Sequence, residues 1–227
     1  VYCANFVVPQ SLDLVFIVGF RLDQNVYCSF PRDTHSLDAL LYDQWITGAY
    51  WDRHNVPARH RPRAPERLAA TLNRLRGLGF APMHAPWQTI RDAFKGLPEP
   101  QERESSILNH RLQNGARSYP GHTGSPIDLP AKTLKAGDHG VPGCESMFVR
   151  PDISGRYFSV RESSRLQTFP DGYELHGSWT EAMRQLGNAV PMLLGRVVAA
   201  SVAEHLLMAR ARTLTSELHG PAVTRST

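Results

Sequence analysis

The sequence predicts an α/β chain carrying a small, loop-rich, mostly β module. Three observations predict it. Val15-Phe16-Ile17-Val18-Gly19 is a short apolar run closed by glycine, the pattern of a buried strand. Apolar residues recur at helical spacing in three places: Leu37, Leu40, Leu41, Trp45 and Ile46; then Leu68, Leu72 and Leu75; then Leu194, Val198, Val202 and Leu206, with Val197 beside them. Residues 98–155 are dominated by glycine, proline, histidine and polar side chains, and no helical stripe persists there.

Each element has its own signal. Asp33, Thr34 and Ser36 offer caps for an amphipathic helix running to about Trp51. The stretch from Arg53 to Arg67 that follows is proline-rich and basic, and reads either as phosphate contact or as a solvated loop. Its histidines are too irregularly spaced, and too short of acidic partners, to suggest a metal. Pro65 opens the next helix, and Gly77 and Gly79 close it. The segment Trp87 to Pro98 reads as a short capped helix and stop. Ser159 is placed to cap a helix with Glu162 as its capping-box partner, and Pro170-Asp171-Gly172 stops that helix. Arg161 and Arg165 are four apart and share a face, which alone describes a solvated, salt-bridged helix. Gly187-Asn188-Ala189-Val190-Pro191 opens the last helix, with proline in the first turn. Asn188 and its neighbours then sit at a helix N-terminus, as an ordinary cap or as a polar-ligand site. Arg210 and Arg212 end that helix, and residues from Thr213 form a frayed tail.

Composition sets limits. A chain of 227 residues that is 41% hydrophobic suffices for one ordinary core or two small ones. No run approaches the ~18 apolar residues of a membrane span, and no signal peptide opens the chain. Cys3, Cys28 and Cys144 are an odd set without CxxC spacing, which suggests a reducing compartment and no zinc site. The net charge of +4 permits a nucleic-acid partner. Only Lys95, Lys132 and Lys135 are lysines; the remaining basic residues are arginines, which suit bidentate contacts to phosphate and guanine.

Two clusters carry more than local structure. Arg161-Glu162-Ser163-Ser164-Arg165-Leu166-Gln167-Thr168-Phe169-Pro170 and Gly187-Asn188-Ala189-Val190-Pro191 together resemble the last two motifs of the DNA cytosine-5 methyltransferases. Pro9-Gln10 resembles an earlier motif of that family, and Pro130-Ala131-Lys132-Thr133 resembles a proline-x-x-threonine step near the end of its target recognition domain. The resemblance implies the C-terminal part of a Rossmann-like, S-adenosylmethionine-dependent methyltransferase. It assigns 1–30 to the end of the catalytic domain, 31–97 to a helical connection, 98–155 to target recognition, 156–212 to the closing motifs and return helix, and 213–227 to a flexible tail. It implies double-stranded DNA as partner, S-adenosyl-L-methionine beside Asn188, Ala189 and Val190, and a cytoplasmic, DNA-associated bacterial setting without a membrane. Candidate DNA contacts are Arg111, Arg117, His122, Thr123, Lys132, Lys135, His139, Arg161 and Arg165; in the recognition region each could instead merely cap a turn. Glycines of the turns Gly121–Ser125 and Gly137–Gly140 would let backbone approach a DNA groove closely.

Departures from the family pattern matter as much. Leu12 and Leu14 stand where the family has two arginines that contact the target cytosine and nearby phosphates, and Val7 replaces its usual glycine. The family's nucleophile, a cysteine after proline that adds to C6 of the base, has no counterpart: Cys3 and Cys28 follow tyrosines and Cys144 follows Gly143. The Glu-Asn-Val context of the partner acid and the glycine-rich cofactor loop are also missing from the sequence. The expectation is therefore a chain inactive alone, completed by an N-terminal half in cis or as a separate subunit. The alternative is a non-catalytic DNA-binding or regulatory relative.

Overall fold

The computed structural model describes residues 1–102, 106–116, 123–135, 146–152 and 154–218. Helix α1 (Leu37–Tyr42) starts where the Ser36 hydroxyl accepts the Ala39 N–H. The expected single helix to Trp51 is not formed. The chain widens into a π-helical turn over Asp43–Thr47 and breaks at Gly48 (φ +80°), a conformation glycine adopts without strain, before α2 (Ala49–Arg53). The break turns Trp51 back, so that its Nε1–H donates to the Gln44 carbonyl at 2.6 Å.

A 3-10 turn at Glu66–Leu68 follows Pro65 and leads into α3 (Ala69–Gly77), whose Leu72 and Leu75 pack on Leu41. Helix α4 (Ile90–Ala93) is held by a complete capping box between Thr89 and Asp92. Helix α5 (Val160–Leu166) has the expected box between Ser159 and Glu162. Helix α6 (Trp179–Asn188) was not expected, although Ser178 and Glu181 carry a capping signature and the Ser178 hydroxyl accepts the Glu181 N–H. Helix α7 (Met192–Leu218) runs past Arg212 through the start of the expected tail. The stretch Trp179–Thr215, which α6 and α7 share, is long and apolar enough to cross a membrane by length and composition only, and Leu206, Leu207 and Met208 of α7 are exposed.

The strands are short and scattered. They are β1 (Gln10–Ser11), β2 (His35–Ser36), β3 (Ala85–Pro86), β4 (Ser125–Pro126), β5 (Ala131–Lys132), β6 (Met147–Val149) and β7 (Gly155–Tyr157). β1 pairs with β5 and β2 with β3, both parallel; β6 lies between parallel β4 and antiparallel β7. Among the described residues no wide parallel sheet forms. The strand expected at Val15–Gly19 is not formed: the segment has no regular secondary structure and no strand partner among the described residues. Leu12, Leu14 and Phe16 pack with Phe6, Val8 and Leu194, while Val15 and Ile17 are 91% and 95% exposed. The alternation of a strand is present, and among the described residues nothing covers its outer face.

The main core joins Ile90, Ala131, Leu134, Phe148, Phe158, Leu166, Met183 and Leu186. Ala131, Leu134 and Phe148, from the described part of 98–155, thus share a core with α4, α5 and α6. Thr133 adds a tie, donating its hydroxyl to the Ser11 carbonyl at 2.9 Å.

Candidate nucleic-acid interface

The closing motif is built around two buried side chains of α5. Glu162 accepts the Ser159 N–H and both ends of the Arg156 guanidinium, at 2.8 and 2.7 Å. Burial works against the charge of Arg156, but the paired Glu162 outweighs it and holds the arginine above its ordinary pKa. Ser159 does double duty. Its oxygen accepts the Glu162 N–H and lies 2.8 Å from His110 Nδ1, whose Nε2 faces the Pro98 carbonyl at 2.8 Å. A carbonyl can only accept, so Nε2 carries a proton there.

Arg161 has 0% exposure. Its guanidinium donates to three carbonyls: Leu108 at 2.9 Å, Pro170 at 3.2 Å and Tyr173 at 2.8 Å. Burial lowers its pKa below the arginine norm. Asn109, with φ +60°, completes this joint by donating its amide to the Leu175 carbonyl and accepting the Leu175 N–H. The solvated helix face inferred from spacing is therefore corrected for Arg161, which in this fold ties two loops to α5 and does not reach solvent. Arg165 is bidentate to Asp171 and donates to the carbonyls of Ala93 and Lys95, fastening α4 to α5.

The other candidate contacts are dispersed. Thr123 and Lys135 are exposed, and Lys132 is half-buried at the mouth of a groove. Arg111 is exposed and leans on the Glu102 carbonyl. Arg117, His122 and His139 lie outside the described residues. Gly124 (φ +70°) does use its missing side chain, but for packing: an added Cβ would lie 2.9 Å from Val149 and 3.0 Å from Met147. At this glycine the close approach is to β6, not to a DNA groove.

The Gly187–Pro191 turn also differs from expectation. Asn188 ends α6, and α7 begins only after Pro191. The first N–H groups of α7 are already taken, Met192 by the Gln167 carbonyl and Leu193 by the Thr168 hydroxyl. No open helix N-terminus sits at Asn188. What the turn offers is an exposed Asn188 amide, without a partner among the described residues, beside the exposed apolar Val190. A hydrogen-bonding group next to an apolar one fits one edge of a nucleoside-bearing cofactor.

Sequence reasoning missed a polar network beneath α2. Tyr50 Oη lies 2.9 Å from Thr89 Oγ1 and 2.8 Å from Asp128, which also takes Arg91 at 2.6 Å. Asp92 receives Thr89 and lies 2.9 Å from His54 Nε2. Burial alone would raise the Asp92 pKa, yet bonds from His54 and Thr89 with the Arg53 charge bring it to about 2. Burial and the Asp128 charge push the Tyr50 hydroxyl upward. These residues lie up to 78 positions apart, and only the DQWxxGxYWxRH run hinted at them. Cys3 is equally sealed, its thiol pushed up by burial to about 11, against what a thiolate nucleophile needs.

Comparison with known proteins adds a second line of observation. The sequence profile of the C-5 cytosine-specific DNA methylases matches residues 1–204. Type II methyltransferase M.SacI of Streptomyces achromogenes is 42% identical over 245 aligned positions, covering 94% of this chain and 53% of the relative. M.NgoFVII of Neisseria gonorrhoeae is 30% identical across 83% of this chain and 44% of its own length. M.AgeI of Thalassovita gelatinovora is 48% identical over 75 residues, 33% of this chain and 17% of its own. The chain spans about half of these relatives or less.

Proposed function

Since the chain belongs to the C-5 cytosine-specific DNA methylases, whose members use S-adenosyl-L-methionine, we propose that it is the DNA-reading and domain-closing part of such an enzyme. The nucleophile comes from residues outside this sequence, in the same polypeptide or in a second subunit. One observation carries the reading: the segment around Val15 and Ile17 has a strand's alternation and a bare outer face, in a chain that spans half of its relatives.

The bound cofactor supplies the methyl group. In this reading the Gly187–Pro191 turn closes one edge of its pocket, with the Asn188 amide as hydrogen-bonding partner and Val190 as apolar wall. The recognition module presents Arg111, Thr123, Lys132 and Lys135 to DNA, together with Arg117, His122 and His139 from the segments outside the described residues. Arg161 and Arg165 act as positioning residues, fastening the loops at 108–109, 93–95 and 170–175 to α5. Base chemistry needs a cysteine thiolate to add to C6 and so make C5 nucleophilic, and Cys3 is too deeply buried for that.

Leu12 and Leu14 favour the second reading, a DNA-binding relative without catalysis, because the arginines that would meet the target base are replaced by side chains that pack inward. Transfer of labelled methyl groups to DNA decides between them. The first reading expects none from this chain alone, and transfer once a segment bearing the Pro-Cys and glycine-rich motifs is supplied. Transfer by the chain alone would overturn both. Persistent inactivity of the reconstituted pair, with DNA binding intact, would leave only the second.

A further inference from the structure

Helix α5 ends in a turn that favours glycine and holds a threonine. Thr168 has φ +59°, an outlier for a β-branched residue. Its N–H donates to the Arg165 carbonyl and the Phe169 N–H to the Ser164 carbonyl, both at 2.9 Å. Those two bonds make a Schellman turn, whose left-handed position is usually glycine. Strain of this kind persists only where surrounding contacts over-determine it. The Thr168 hydroxyl provides such a contact by accepting the Leu193 N–H at 2.9 Å. Leu193 lies in the first turn of α7, where N–H groups have no partner within the helix. Pro191, just before that helix, has no side chain able to cap it. Gln167 works from the same place. Its carbonyl accepts the Met192 N–H at 3.0 Å, and its Nε2–H donates to the Leu186 carbonyl in the last turn of α6 at 2.7 Å. Two consecutive residues at the end of α5 therefore grip both ends of the Gly187–Pro191 turn.

We propose that Thr168 is a positioning residue for the cofactor. By capping α7 from outside, it fixes how the chain passes from α6 to α7, and so where Asn188 and Val190 stand. The inference rests on the reading that this turn closes the S-adenosyl-L-methionine pocket, and adds what holds the turn in place. Thr168 itself acts only through the turn. Without its hydroxyl the Leu193 N–H loses its acceptor and the first turn of α7 frays. The turn then samples several conformations, and a ligand that fits one of them binds more weakly in proportion to the fraction lost.

Three variants separate positioning from plain stability. Thr168→Ser keeps the hydroxyl. Thr168→Val removes it and keeps the backbone strain. Thr168→Gly removes it and relieves the strain, so the glycine variant melts no lower than the valine one. Hydrogen exchange on this chain alone, read by NMR, gives the first measurement. The Leu193 and Ala189 amides are expected to exchange roughly tenfold faster in the valine and glycine variants, and at the wild-type rate in the serine variant. Calorimetry with S-adenosylhomocysteine gives the second, on the chain completed by a segment bearing the Pro-Cys and glycine-rich motifs. Its dissociation constant is expected to rise several-fold in both hydroxyl-free variants, with serine restoring it. The KM for S-adenosyl-L-methionine should rise in parallel while kcat changes little. A merely structural role would make affinity follow melting temperature instead. A glycine variant with wild-type affinity, or unchanged Leu193 exchange in the valine variant, overturns the proposal. Asn188→Ala tests the underlying reading. Weaker binding by that variant alone removes only the role of Thr168; wild-type affinity in it and in all three Thr168 variants removes the turn from the cofactor site altogether.

Discussion

Replacing Arg161 separates a structural hub from a DNA contact. The side chain is fully buried and donates to three carbonyls on two loops. A hydrogen bond involving a charged group contributes about 1.5–3 kcal/mol, so three set an upper range of roughly 5–9 kcal/mol. Two terms reduce it. Pro170 and Tyr173 are surface residues whose carbonyls can turn to water, and the buried guanidinium regains solvation in the unfolded chain, as its lowered pKa indicates. Arg161→Met, which keeps the stem and deletes the donors, is expected to cost about 4 kcal/mol. Arg161→Lys keeps the charge, but one ammonium cannot serve three carbonyls in a fork; about 2 kcal/mol is expected. Against about 5–15 kcal/mol for an ordinary domain, the first loss is close to unfolding. Urea titration followed by tryptophan fluorescence measures both. A methionine variant losing under about 1 kcal/mol refutes the hub. A lysine variant that is fully stable yet loses DNA affinity would place Arg161 on the DNA instead.

Three further outcomes follow from particular residues. Val7 has φ +70°, unfavourable for a β-branched side chain. Val7→Gly should exceed Val7→Ala in stability by about 1 kcal/mol, reversing the usual order of the two residues; comparing the pair cancels the lost valine contacts, and an alanine variant at least as stable would show the site relaxes. Asp92 has a folded pKa of about 2 against an ordinary 3.8, so its contribution is present above pH 4 and lost as pH falls through 2. Between pH 5 and pH 2.5 the wild type should lose roughly 2 kcal/mol more than Asp92→Asn, and parallel unfolding curves for the two would contradict the network. Iodoacetamide at pH 8 should label exposed Cys28 and spare buried Cys3 in the native state; peptide mapping reads this directly, and rapid labelling of Cys3 would mean its core opens.

What could be read locally was read from the chain. The box at Ser159/Glu162 spans four residues, and its geometry follows from residue type and offset; the short capped helix read between Trp87 and Pro98 forms as α4, and its box at Thr89/Asp92 became visible only in the structure. Leu72 and Leu75 face inward as their spacing requires. The family resemblance of the closing motifs was equally legible, because it rests on side chains at set offsets. Position in three dimensions was not. Arg161 and Arg165 share a helical face, yet one is buried because the loops at 108–109 and 170–175 close over it, and no periodicity contains that information. Val15–Gly19 alternates like a strand but forms none, since a strand needs a neighbour to take its backbone hydrogen bonds. Gly124 looked like an approach point for DNA until β6 was found against it. The Tyr50–Thr89–Asp128 network and the groove beside it join residues dozens of positions apart. Local sequence sets which hydrogen bonds and faces a segment offers; which partner each one meets is decided by the packing of distant segments, and that alone made Arg161 a buried tie.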